Sequence, residues 1–187
     1  MNKMSTVKKI CICAICIALC YVLPIAFHTV GLGSTFLPIH LPVLLCGLIC
    51  GSFYGVCCGI IGPILSSVLT GMPPSTALVS MLPELMAYGL VTGMLMHRVH
   101  TGNRYLDLYA ALIPAMLVGR IAGGIARALF IVAMANGETY GFALWATSYF
   151  VGNLPGIVIQ LIAVPALVTV LEKSRLIPQC RCRCKTA

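Results

Sequence analysis

Long apolar stretches separated by short polar segments dominate the chain. Glycine, proline and charged residues divide it into six such stretches, without the alternation of period two that marks a membrane β-barrel. A helix needs roughly 20 apolar residues to cross the hydrocarbon core of a bilayer. The pattern therefore predicts an all-α integral membrane protein, a bundle of six transmembrane helices forming a single domain over residues 1–187. The predicted helices cover about residues 6–27, 37–51, 53–70, 76–97, 106–135 and 141–173.

Composition and charge agree with this prediction. Of the 187 residues 60% are hydrophobic and 9% charged, whereas soluble domains carry about 25% charged residues. The formal net charge is +8, and ten of the twelve Lys and Arg residues stand at the N-terminus, in the connector 97–105 and at the C-terminus. The connectors 28–36, 71–75 and 136–140 contain none. Because cytoplasmic loops are enriched in Lys and Arg, we predict cytoplasmic termini and a lipid environment, with no nucleic-acid partner.

Polar and aromatic side chains at membrane depth are the candidates for a substrate-binding site. A charged residue at the helix centre costs about 2.5–3.5 kcal/mol on insertion scales, so each one requires a partner or a water-filled cavity. Counting 1.5 Å per residue from the predicted helix ends brings Glu84, Arg127 and Asn153 together in the outer half of the bundle. The two arginines at this depth, Arg120 and Arg127, outnumber the single Glu84. The predicted cavity is therefore positively charged and favours an anionic or zwitterionic solute. The candidates are His40, Glu84, Tyr88, Arg120, Arg127 and Asn153.

Two other interpretations of these residues remain open. In the first, a Glu84–Arg127 salt bridge joins two helices of a structural or assembly subunit. In the second, the protein is a membrane enzyme, although the sequence contains no P-loop, HExxH, GxSxG or paired-carboxylate arrangement. We therefore predict a non-enzyme without a cofactor or a metal site. Any uphill transport must then draw its energy from partner subunits.

Several short motifs carry a resemblance to a known family. The segment Ile39-His-Leu-Pro-Val-Leu-Leu-Cys-Gly-Leu is followed by Gly51-Ser-Phe-Tyr-Gly-Val and by Gly59-Ile-Ile-Gly-Pro. The first helix contains Ala14-x-x-x-Ala18, a spacing that lets membrane helices approach closely. Together these motifs resemble the substrate-specific subunits of energy-coupling factor (ECF) transporters, and the resemblance extends over the whole chain in length and helix number.

The resemblance implies a subunit of a bacterial plasma-membrane importer that captures a vitamin or related micronutrient for ATP-driven uptake. It also implies that Ala14 and Ala18 pack on a transmembrane coupling subunit, which two ATPase subunits drive. The connector 28–36 would cover the ligand on the outer side. Since binding residues differ between family members, the pocket candidates rest on the depth argument alone. The positive charge predicted for the pocket favours a carboxylate-bearing vitamin such as pantothenate.

Overall fold

The computed structural model describes residues 4–29, 38–99, 101–133, 147 and 153–174. In this part of the chain the fold is all-helical, as predicted. The helices are α1 (Thr6–Thr29), α2 (His40–Cys50), α3 (Ser52–Thr70), α4 (Ser75–Arg98), α5 (Arg104–Ala133) and α6 (Leu154–Lys173). The first five begin and end within three residues of the expected positions. The first part of the predicted sixth helix lies outside the described residues, as does most of the connector expected to cover the ligand.

Five of these helices are long and apolar enough to cross a membrane, and α2 is the exception. With 11 residues it extends about 16 Å at 1.5 Å per residue, roughly half of the hydrocarbon thickness. The count of six complete spans therefore stays a prediction, as does the cytoplasmic position of the termini. The large apolar side chains on the outside of the bundle, such as Phe53, Val68 and Val132, suit contact with lipid.

The short helix α2 lies at the centre of the bundle. It contacts α1, α3, α4, α5 and α6, and nine of its 11 residues are buried. The sequence explains this position, because a helix that is apolar on every side either spans the membrane or packs inside the protein, and at 11 residues α2 is too short to span. Its first residue, His40, is consequently held in the interior, with only 1% of its surface exposed.

Helices α3 and α4 touch through their backbones. A Cβ added at Gly55 would lie 2.7 Å from the carbonyl oxygen of Gly89 and 2.8 Å from its Cα. Only glycine fits such an approach, and small residues are the usual means by which membrane helices pack closely. Since α4 also packs on α2 and α5, this contact fixes the helix that carries Glu84 and Tyr88.

An ion pair joins the start of α5 to the end of α6. The Arg104 guanidinium contacts both carboxylate oxygens of Glu172, with Nε donating to Oε2 at 3.1 Å and Nη2 donating to Oε1. Glu172 is buried and Arg104 partly exposed. Such a two-pronged contact fixes the relative orientation of the groups, so it sets how the ends of the two helices meet.

Candidate functional site

Four polar side chains meet in the interior between α2, α4 and α5, and we call them the Glu84 cluster. They are His40, Glu84, Tyr88 and Arg120, each at most 5% exposed. Three groups converge on one carboxylate oxygen, Oε1 of Glu84. The Tyr88 hydroxyl donates a hydrogen bond to it at 2.8 Å, His40 Nε2 lies 3.4 Å away, and Arg120 Nε lies 3.7 Å away.

The sequence places Glu84 and Tyr88 on the same face of α4, because residues four apart are neighbours on a helix surface. That face packs on two glycines of α5. A Cβ at Gly123 would lie 2.9 Å from Glu84 Oε2, and a Cβ at Gly119 would overlap the Tyr88 ring. The two glycines, also four residues apart, thus leave room for both side chains against the α5 backbone.

The third side of the cluster is the beginning of α2. His40 is the first residue of this helix, and its ring meets the Tyr88 ring edge-on, with centroids 5.4 Å apart and planes inclined by 61°. The side chains of His40 and Tyr88 therefore both face the Glu84 carboxylate. Together with the Arg120 guanidinium, this environment compensates a carboxylate that would be costly to bury alone.

The predicted Glu84–Arg127 pair is not formed. Glu84 lies with Arg120 and His40, whereas Arg127 is exposed. The physical reason is the length of α5, whose last nine residues, 125–133, include no buried residue. Arg127 therefore remains exposed even though it lies on nearly the same helix face as Arg120. The buried site consequently contains one of the two arginines on which the expectation of a positive pocket rested.

The last of the six candidates, Asn153, is half-buried and occupies the position just before α6. Its part in a binding site stays a prediction. The structure thus brings four of the candidates together in the Glu84 cluster.

A polar residue outside the candidate set is also buried. Gln160 on α6 is 1% exposed, and among the residues that the structure describes neither its Oε1 nor its Nε2 has a hydrogen-bond partner. The sequence did contain a signal for this residue, namely a carboxamide within an otherwise apolar helix. The depth argument grouped residues expected at one level in the outer half of the bundle, and Gln160 was not among the candidates it selected.

A cavity of about 120 Å³ lies between α5 and α6. Its wall is apolar except for Arg120, which therefore belongs both to the Glu84 cluster and to the cavity. This shared residue connects the buried charges of the bundle to the cavity. The residues lining the cavity are Ile113, Met116, Leu117, Arg120, Ile157 and Leu161.

Ala14 and Ala18 lie on the outer surface of α1, away from the bundle. Both are exposed, whereas Cys13, Cys16 and Cys20 on the opposite face are buried. The small side chains thus form a flat strip on the outside, and the packing within the bundle uses the cysteine face. This position is the one required for contact with another membrane helix.

Comparison with known proteins identifies the family. The model of the family "ECF transporter, substrate-specific component" matches residues 8–168, which is most of the chain. No curated protein and no solved structure shows a significant match. The chain therefore belongs to the substrate-specific components of ECF transporters, as its motifs indicated. These are multi-pass membrane subunits that bind the transported substrate, and they are transport proteins rather than enzymes.

Proposed function

We propose that this protein captures a vitamin or a related micronutrient at the outer face of a bacterial plasma membrane, and that a transmembrane coupling subunit and two ATPase subunits drive its uptake. The observation that carries the proposal is the position of Arg120, which belongs to the buried Glu84 cluster and also lines the cavity between α5 and α6. Ionisable groups inside membrane bundles are rare and mark substrate pathways.

The charge of the site no longer favours a carboxylate-bearing ligand such as pantothenate. That expectation required Arg120 and Arg127 to share one pocket with Glu84. With Arg127 exposed, the Glu84 cluster contains one arginine and one glutamate, so an ionised pair has no excess positive charge. The class of ligand proposed is therefore a vitamin or micronutrient without a required anionic group.

The rival proposal is a structural subunit in which the Glu84 cluster only joins α2, α4 and α5. The convergence of three groups on one carboxylate oxygen is the observation that favours it. Removing one charge of a buried pair leaves the other uncompensated, at a cost of about 3–5 kcal/mol. A variant that removes both charges avoids this cost, so it separates loss of binding from loss of folding.

The test begins with native mass spectrometry of the purified protein to detect a co-purifying small molecule, followed by measurement of its dissociation constant. We expect the double variant Glu84→Gln/Arg120→Met to fold and to bind this compound at least tenfold more weakly. The matched control is Arg127→Met on the exposed part of α5, which should bind as the native chain does. Native affinity in the double variant would support the structural subunit instead.

The docking role proposed for α1 has a separate test. A tryptophan at Ala14 or Ala18 fills the flat strip that a partner helix would occupy, so we expect uptake in cells with the coupling and ATPase subunits to fall to background. Ligand binding by the purified variant should be unchanged, because the other face of α1 packs on the bundle. The control is Ala166→Trp, at an exposed alanine of α6. Normal uptake by the α1 variants would remove the docking role.

A further inference from the structure

Six buried cysteines meet where α1, α2 and α3 pack together, and we call them the cysteine cluster. Each is at most 7% exposed, and all six thiols are free. Among the residues that the structure describes, no group of three or more His, Cys, Asp or Glu side chains is arranged to hold a metal ion. The chemistry open to the cluster is therefore that of the thiols themselves. Its members are Cys13, Cys16 and Cys20 on α1, Cys46 and Cys50 on α2, and Cys58 on α3.

Cys46 contacts thiols on two other helices. It contacts Cys13 of α1, and it also contacts Cys16 of α1 and Cys58 of α3. The pair Cys13–Cys46 shares a hydrogen-bond acceptor as well. Both Sγ atoms donate to the backbone oxygen of Tyr54, from Cys13 at 3.7 Å and from Cys46 at 3.5 Å. Because the two thiols lie side by side on one carbonyl group, they are the pair best placed to be joined in a disulfide between α1 and α2.

This pair lies toward the end of the bundle where α1 begins. Cys13 is seven residues after Thr6, the first residue of α1, which is about 10 Å along the helix. At 7% it is also the most exposed member of the cluster. Lys9, one turn before it, holds its ammonium group 5.8 Å from the centre of the Tyr54 ring. Reactive cysteines lie near cations and within reach of water, so Cys13 is the member at which reaction with an oxidant begins.

We propose that Cys13 and Cys46 form a reversible disulfide that joins α1 to α2 under oxidising conditions and weakens the docking of α1 to the coupling subunit. The formation of the bond does not depend on the proposed function, whereas its effect on docking rests on the role proposed there for α1. In the orientation predicted from the sequence this end of the bundle is cytoplasmic. Cytosolic thiols are kept reduced, so the bond belongs to oxidative stress.

The oxidant is a hydroperoxide, a class of compound that enters membranes when its organic part is apolar. The Cys13 thiolate attacks the terminal oxygen, and the O–O bond breaks. Cys13 becomes a sulfenic acid, and the departing alkoxide takes up a proton and leaves as an alcohol. The Cys46 thiol then displaces the hydroxyl group as water and forms the S–S bond. The two thiols together lose two electrons, which the hydroperoxide gains, and a dithiol reverses the reaction by exchange.

The bond acts on docking through the two faces of α1. Cys13 directly precedes Ala14, the first residue of the flat strip on the outside of the helix. A disulfide draws the inner face of α1 onto α2 and fixes the rotation of the helix. The strip then loses the freedom to adjust to a partner helix, which close packing of small residues requires.

The first measurement is mass spectrometry of the full chain after treatment with cumene hydroperoxide in detergent. The remaining thiols are blocked with N-ethylmaleimide, and chymotrypsin then cleaves at the Tyr and Phe residues between positions 13 and 46. We expect the peptides that contain the two positions to be joined, and to separate after treatment with dithiothreitol. The bond should be absent from Cys13→Ala and from Cys46→Ala. It should be retained in the control Cys57→Ala, at a half-buried cysteine outside the cluster. Unjoined peptides in the native chain, or a bond that persists in either cluster variant, would overturn the inference.

The second measurement is the amount of coupling subunit that co-purifies with the tagged chain from membranes. Cumene hydroperoxide should lower this amount for the native chain, dithiothreitol should restore it, and Cys46→Ala should show no loss. Equal losses in the native chain and in Cys46→Ala, or full retention by a chain that carries the disulfide, refute the effect on docking. A reduced native chain that retains no coupling subunit refutes the docking role of α1 and the effect proposed here, whereas the disulfide itself is judged by the first measurement.

Discussion

Helix α5 forms two very different interfaces. Against α4 it packs closely, with the Glu84 and Tyr88 side chains lying on the backbone of Gly119 and Gly123. Against α6 it makes fewer contacts and leaves a cavity of about 120 Å³. The α4–α5 interface is therefore closed along much of its length, whereas the α5–α6 interface is fixed at one end by an ion pair and open farther along.

The buried polar groups near the two interfaces of α5 also differ in whether they have partners. In the closed interface, Glu84 Oε1 is approached by a tyrosine, a histidine and an arginine. Next to the open interface, Gln160 is buried with neither amide atom paired among the described residues. In the function proposed above, α4–α5 maintains the bundle and α5–α6 is the interface proposed to receive the ligand. Arg120 is the residue that belongs to both.

A clear loss of stability is expected from adding a single carbon to the closed interface. In Gly119→Ala the new methyl group would overlap the buried Tyr88 ring and lie 3.0 Å from the Glu84 carbonyl oxygen. Overpacking of this kind costs about 1–3 kcal/mol, against about 1 kcal/mol that alanine returns as a better helix former. We expect a net destabilisation, measured by titration with denaturing detergent or by the melting temperature.

A second variant tests whether the loss of stability in Gly119→Ala arises from the contact with the Tyr88 ring. In a Tyr88→Leu background the ring is absent, so Gly119→Ala should cost less than it does in the native chain. Contacting residues couple by about 0.5–3 kcal/mol in such a cycle. Equal costs in the two backgrounds would show that the α4–α5 interface can shift to admit the methyl group and is not closed in the sense argued above.

Most of the fold could be predicted from the sequence, because each predicted helix is an apolar stretch that ends at glycine, proline or charged residues. The family was readable as well, since its motifs fall in α1, α2 and α3. The length of α2 was harder to predict, because a full membrane span and a short helix buried inside the bundle show the same apolar pattern. Residues outside the described ranges leave the predicted start of the sixth helix untested.

The contacts within the candidate site could be predicted only in part from the sequence. Insertion cost marks the residues that need partners, and this identified His40, Glu84 and Arg120. Which of these side chains contact each other depends on how far α4 is shifted along α5. The close contacts of Gly119 with Tyr88 and of Gly123 with Glu84 set that shift. Arg127 was placed in the pocket because counting from helix ends cannot show that α5 extends beyond its buried section.

The smallest expected effect on stability comes from adding a ring to the open interface. Leu161 lines the cavity, so the larger side chain of Leu161→Phe has space to enter, and filling a cavity commonly adds about 0.5–2 kcal/mol. We expect an unchanged or higher melting temperature, together with at least tenfold weaker binding of the compound that co-purifies with the native chain, since the ring occupies the ligand's space.

The same substitution at Leu44 is the matched control, because this α2 residue has no exposed surface. Overpacking there should cost about 1–3 kcal/mol. Comparable losses of melting temperature at positions 44 and 161 would mean that α5 and α6 pack as tightly as the core, and the distinction between a closed and an open interface would fail. A stable Leu161→Phe that still binds ligand normally would place the ligand elsewhere. Stability retained with binding lost is the combination expected if the open interface exists to admit a ligand.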